Sequence, residues 1–234
     1  MGKSWKNPHK VAAAQKKGAI FTKLAREIAV AAKLGGPDPE GNARLKMAIN
    51  AARTQSCPKD TIERAIKKGS GQLDDGTIIE ELTYEGYGPH QVGIIVDCQS
   101  DNKNRTVSDI RAVFKKNGGN LGESGSVAWM FSRVAIVEGS KDGEFDPEEE
   151  AIEAGANEVE DNGEGGFSFY GEIEDLDGIR TTLSDRGWEV TVAELGYKAQ
   201  NKTDVTEEQR EEVVQLLELL DDNEDTHRIY STID

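Results

Sequence analysis

Lys3, Lys6, Lys10, Lys16, Lys17, Lys23 and Arg26 all precede the first acidic side chain of the chain, Glu27. Seven cations with no carboxylate between them suit one kind of chemistry, the neutralising of phosphates on a polyanion. Trp5 and His9 lie among them, and their flat rings can stack on a nucleobase. The stretch has no arginine before Arg26 and no Asn or Gln set at the spacing of a recognition helix, so direct reading of base edges is not expected. Backbone contact, shape and stacking are the expected modes. With about five phosphates neutralised, log affinity would fall against log salt with a slope of about −4 to −5.

This basic start belongs to an acidic chain. The 234 residues carry a formal net charge of −16, divided unevenly: residues 1–70 hold 15 Lys+Arg against 5 Asp+Glu, net +10, and the remaining 164 hold 13 against 39, net −26. Such a division implies a basic module that meets a polyanion and an acidic body that orients it by repulsion or meets protein partners. Arg44, Lys46, Lys67 and Lys68 extend the basic surface within the first 70 residues. Arg105, beside a predicted helix cap at Thr106, is a second candidate contact; its plain alternative is a surface arginine that supports the cap.

Other chemistries find little support. The three histidines, His9, His90 and His227, form no metal-spaced pair and lie near no cysteine, so no metal site and no cofactor are expected. "GESGS" (122–126) lacks the G-x-S-x-G spacing of a hydrolase nucleophile and leads into a predicted strand. "GGNLGESGS" (118–126) lacks the G-K-[ST] ending of a phosphate loop and carries Glu123 where an anion would sit, so it reads as a flexible connection. The acids of residues 142–166 lack the alternating ligand pattern of a calcium loop and read as a solvated face. No nucleophile, base and orienting group assemble, so the chain is not expected to be an enzyme. Cys57 and Cys98 have no partner motif, and no run approaches the roughly 18 apolar residues of a membrane span, which suits a cytoplasmic protein.

The elements that must position these residues follow from periodicity. Ile20, Phe21, Leu24, Ile28 and Ala31 recur at helical spacing from Gly18 onward, leaving residues 1–17 as a basic arm. "LGGPDPEGN" (34–42) breaks that helix; Leu45, Ala48, Ile49 and Ala52 define a second, and Ile62, Ala65 and Ile66 a third that stops at Gly69. Strands are predicted over 78–84 and 92–98. A helix follows over 106–117, capped by Thr106 with Asp109, and then a strand over 126–131. From Arg133 a βαββαβ unit runs to the strand 188–195, with a helix opened by Asp146 and Pro147 and a hairpin over "DNGEGG" (161–166). A last helix, capped by Thr206 with Gln209, and a strand near 228–233 complete the first sheet.

"KKGAIFTKLAREI", "GGPDPEGNARLKMAI", "PKDTIERAIKKGSG", "YEGYGP", "DNKNRT" and "GSVAWMF" occur in the order and spacing of the YebC family, which includes the mitochondrial translational activator of cytochrome oxidase subunit I. The resemblance runs from the arm to the C-terminal strand and is densest over residues 16–131. It implies an α+β protein, an N-terminal helical domain followed by two ferredoxin-like α+β domains, one inserted into the other. The expected boundaries are an arm over 1–17, a helical domain over 18–75, a first α+β domain over 76–132 plus 203–234, and an inserted domain over 133–202. It also implies a cytoplasmic, nucleic-acid-binding regulator of gene expression, either a DNA-binding transcriptional regulator or a ribosome-associated translation factor that relieves stalling or activates translation, its nucleic acid then being ribosomal RNA. The chain departs from many relatives in its opening, Lys3-Ser4-Trp5 followed by "KNPHK" with Pro8, and in Lys103, where many carry Arg. Lysine there keeps the charge and loses the planar fork.

Overall fold

The computed structural model describes residues 15–73, 76–163 and 165–233. Three helices come first, α1 (Gln15–Gly35), α2 (Ala43–Thr54) and α3 (Lys59–Gly69). Their apolar stripes meet in one core containing Ile28, Ala31, Leu45, Ala48, Ile49, Ala52, Ile62 and Ala65, with Phe21, Leu24 and Ile66 packed at its margin. α1 begins at Gln15, a turn earlier than the apolar stripe predicts. Gln and Lys are good helix formers, and a first turn forms without a face to bury.

Two polar or small residues fix the geometry of this module. The Asn42 side chain accepts from the Leu45 amide at 3.0 Å, capping α2, and donates to the carbonyls of Ala31 at 2.8 Å and Gly36 at 2.9 Å. It therefore clips the glycine-proline loop to the end of α1. α3 stops at Gly69 as predicted, and this glycine has a second role: a Cβ there would run into the Ala29 carbonyl of α1. The left-handed residue that ends the turn is Gly71, at φ 74°.

A four-stranded antiparallel sheet follows, built from β1 (Glu80–Tyr87), β2 (Gly93–Ser100), β3 (Asn120–Leu121) and β8 (Thr226–Ser231) in the order β3-β1-β2-β8. β2 is central and buried along its length except at Asp97, which explains its near-continuous apolar run. α4 (Lys103–Lys116) buries Ile110 and Phe114, and α7 (Glu207–Asp221) buries Val213, Leu216, Leu217 and Leu220. The capping box of Thr206 and Gln209 on α7 is present as predicted. The cap of α4 is different: Asn102 accepts from the Arg105 amide at 3.1 Å, so the helix starts a turn earlier than the Thr106 cap predicts, and Thr106 is buried inside its first turn.

The residues Phe131–Gln200 form a compact unit of their own, with the order β4 (Phe131–Ser140), α5 (Pro147–Ala154), β5 (Glu158–Asp161), β6 (Phe167–Gly171), α6 (Leu176–Asp185) and β7 (Glu189–Ala199). The sheet order β5-β6-β4-β7, all antiparallel, is that of a ferredoxin-like βαββαβ fold. Its core gathers Val137, Ala151, Phe169, Ile179, Leu183 and Trp188. Inside it Glu150 is buried yet ionised. It accepts from Lys141 Nζ at 2.8 Å, Arg186 Nε at 2.8 Å and Trp188 Nε1 at 3.0 Å. The Arg186 hydrogen bond overcomes the penalty of burial and, with Lys141 and Trp188, holds the carboxyl down to about 2.

The other unit contains the three helices, the first sheet, α4 and α7, with Asn201–Ile233 returning to complete it. No helix among the described residues is long and apolar enough to cross a membrane.

Candidate nucleic-acid interface

The predicted contact residues divide into three groups. Lys3, Trp5, Lys6, His9 and Lys10 lie outside the described residues, and Lys16 and Lys17 are described only as backbone in the first turn of α1. Lys67 is exposed and Lys68 half-buried at the end of α3, and Lys46 pairs with Glu40 at 3.0 Å on the surface. Lys23, Arg26, Arg44 and Arg105 are bound to acids of the protein itself.

The centre of that last group is Asp225, in the turn between α7 and β8, whose side chain is 3% exposed. Arg26 Nη1 lies 2.8 Å from Asp225 Oδ1, and one nitrogen of Arg105 reaches both carboxylate oxygens, at 3.0 and 3.1 Å. The Thr106 hydroxyl lies 2.7 Å from Asp225 Oδ2, and Ser100 Oγ 3.1 Å from the same oxygen. Burial would push the Asp225 carboxyl up; the Thr106 hydrogen bond and the two guanidiniums prevail and hold it below the usual range. Lys23 Nζ donates to the Asp221 carbonyl and Arg26 Nη1 to that of Glu224, so the end of α7 lies along α1.

A second cluster ties α1 and α2 to the sheet. Glu27 accepts from Arg44 Nε at 2.7 Å and Nη2 at 3.0 Å, and from Gln99 Nε2 at 2.6 Å. Arg44 also reaches Glu81 on β1 at 3.0 Å. Burial alone would lower the Arg44 pKa, but Glu27 and then Glu81 hold the guanidinium charged. Arg26, Arg44 and Arg105 thus join the helical module to the first sheet. Apart from Asp101, four residues before Arg105, the acids that hold them are distant in the chain, which local sequence patterns do not reveal.

The glycine-rich run before β4 also has an unpredicted role. Glu85 on β1 accepts from the amides of Gly125 at 2.7 Å, Val127 at 2.9 Å and Ala128 at 2.8 Å. The donors that could cradle a phosphate are already taken by an internal carboxylate, and the run is pinned rather than flexible. With those amides turned to Glu85 the predicted strand over 126–131 cannot pair, and a 3-10 turn, Ala128–Met130, stands in its place. That turn presents Trp129, 68% exposed, with its indole N–H held by the Ser126 carbonyl at 3.0 Å. Trp129 stands in the motif "GSVAWMF" (125–131), and the reading of 126–131 as a strand hides its exposure.

Among the described residues no group of three or more His, Cys, Asp or Glu could hold a metal ion. Cys57 and Cys98 are free and buried, and burial pushes both thiols up, that of Cys98 to about 12.

An N-terminal three-helix module joined by buried ion pairs to an α+β sheet, with a ferredoxin-like unit following β3 in the chain, defines a particular class of α+β protein. The chain belongs to the TACO1/YebC family: the N-terminal domain of that family matches residues 3–72, and its second and third domains match residues 79–233. The chain is 65% identical over 233 residues to "Probable transcriptional regulatory protein Bd1964" of Bdellovibrio bacteriovorus, covering all of both chains. It is 46% identical to a "Probable transcriptional regulatory protein" of Pseudomonas fluorescens, covering 98% of each. The crystal structure of a conserved hypothetical protein, Aq1575, of Aquifex aeolicus superposes with a TM-score of 0.86 at 39% identity, over 98% of this chain and 95% of that one.

Proposed function

We propose that this chain is a non-enzymatic, cytoplasmic regulator of gene expression that binds nucleic acid through its basic N-terminal residues, in the first place as a DNA-binding regulator of transcription. The observation that carries this reading is the division of charge, 15 basic against 5 acidic side chains in residues 1–70 of a chain whose net charge is −16. The names of its relatives, probable transcriptional regulatory proteins, support the same direction. Lys3 to Lys17 supply the leading contacts, and Lys46, Lys67 and Lys68 add to them. Lys23, Arg26, Arg44 and Arg105 contribute chiefly by positioning the helical module, since internal acids hold them. The acidic remainder keeps phosphate at the basic end or meets protein partners.

One observation favours a second form of this reading, binding to ribosomal RNA in translation. The residues before Arg26 include no arginine and no spaced Asn or Gln set, so they grip backbone and shape rather than base sequence. Crosslinking through positions 16 and 17 in cells separates the two. Recovery of chromosomal DNA supports the transcriptional form, recovery of ribosomal RNA supports the translational one, and recovery of no nucleic acid contradicts both.

A further inference from the structure

After residue 70 the chain has only 13 basic side chains against 39 acids, and five of those 13 lie in one helix, α4. Its sequence, KNRTVSDIRAVFKK, carries Lys103, Arg105, Arg111, Lys115 and Lys116 against the single acid Asp109, a net charge of +4 in 14 residues. The helix buries Thr106, Ile110 and Phe114 and exposes the opposite side. Asn104, Ser108, Arg111 and Lys115, at i, i+4, i+7 and i+11, form an exposed ridge free of acids; Asp109 lies on the adjoining face with Arg105 and Lys116.

These cations differ from Lys23, Arg26 and Arg44 of the helical module in one respect. Among the described residues the ion pairs of α4 are those of Arg105, with Asp101 and Asp225, and Lys103, Arg111, Lys115 and Lys116 have none. Long side chains left unpaired in a body that is otherwise strongly anionic create a local positive potential with no internal acid to spend it on. From Lys103 to Lys116 the helix extends about 20 Å at ~1.5 Å per residue, enough to follow several phosphates of one strand. The ridge carries no exposed large apolar or aromatic side chain, the usual anchor of a protein partner.

We infer that α4 is a second nucleic-acid-binding surface, in which Arg111, Lys115 and Lys116, with Lys103 at the other end of the helix, contact the phosphate backbone of DNA or RNA. The inference rests on the nucleic-acid reading above and adds a site outside the N-terminal 70 residues. Arg105 at the start of α4 and Arg26 of α1 hold the same carboxylate, Asp225, so the two basic helices are fixed to each other and can engage one ligand together.

The test uses the full chain, two labelled probes, an RNA hairpin and a mixed-sequence DNA duplex, and a potassium chloride series. R111Q/K115Q/K116Q should weaken binding to the preferred probe by ~10-fold or more and flatten the log–log salt slope by about 2 to 3. Its urea midpoint should match that of the parent, because the three side chains are exposed. The probe that loses more affinity identifies which phosphate backbone the ridge follows. An unchanged affinity and slope for this variant, beside a clear loss for K16Q/K17Q, would overturn the inference and leave the N-terminal reading standing. Failure of the parent chain to bind either probe would end both. Displacement of the probe by polyglutamate as effectively as by unlabelled nucleic acid would also overturn it, since the ridge would then answer to any polyanion.

Discussion

One guanidinium nitrogen of Arg105 reaches both oxygens of Asp225, at 3.0 and 3.1 Å, while Arg26 takes the same carboxylate at 2.8 Å. A basic residue of the helical module and one of α4 are therefore joined through a single buried acid. Removing that acid leaves Arg26, 14% exposed, without its carboxylate partner, which costs far more than breaking a surface pair. D225N should lower stability by about 2–4 kcal/mol, read as a shift of the urea midpoint at constant slope. An unshifted midpoint would mean that the network contributes nothing to stability.

Two buried carboxyls with lowered pKa values predict a loss of stability in acid. Glu150 is held from 4.5 down to about 2, and Asp225 is held below its ordinary 3.8. A depressed carboxyl stabilises the folded state above its unfolded pKa and loses that contribution as pH falls through the folded one. Stability should thus be flat from neutral pH to about 4.5 and fall steeply toward about 2. E150Q should be less stable at neutral pH and show a shallower acid decline in urea titrations at stepped pH. A decline as steep as the parent's would assign the acid sensitivity elsewhere.

Glu85 satisfies three amides of the run that presents Trp129. E85A strips those donors of their acceptor, at a cost of about 2–3 kcal/mol. The sharper readout is local: amide exchange at Gly125, Val127 and Ala128 should accelerate in E85A well beyond that of β2. Equal acceleration everywhere would indicate a global loss of stability instead of a released loop.

Gly69 offers a test by sign. In an open helix Gly→Ala stabilises by about 1 kcal/mol, but here the added Cβ meets the Ala29 carbonyl of α1. G69A should therefore lower the melting temperature and loosen α3 from α1. A rise would show that the two helices have room to part.

The helices were legible where their determinants are local. The stripes of α2 and α7, the Thr206 cap and the Asp146-Pro147 opening of α5 all depend on residues within two turns of each other. The elements misread were those decided from afar. Thr106 looks like a cap until Asp225, 119 residues away, draws it inside, and residues 126–130 look like strand until Glu85 claims their amides. Arg26, Arg44 and Arg105 read as phosphate contacts because most of the acids that hold them, Asp225 in the turn before β8, Glu81 on β1 and Glu27 on α1, are brought to them by the tertiary fold. The cations of α4 were hidden for the opposite reason: averaged over a stretch of net −26, a helix of net +4 leaves no mark.

The proposed function requires that phosphate be gripped by the positive charge at the N-terminal end. The most direct measurement is the affinity of the full chain for nucleic acid and for ribosomes as a function of salt. A grip by the N-terminal cations predicts a log–log slope at least as steep as about −4 to −5, steeper by the share of α4, and reduced by about 2 in K16Q/K17Q. An affinity that is absent near physiological ionic strength, or present and insensitive to salt, would contradict it.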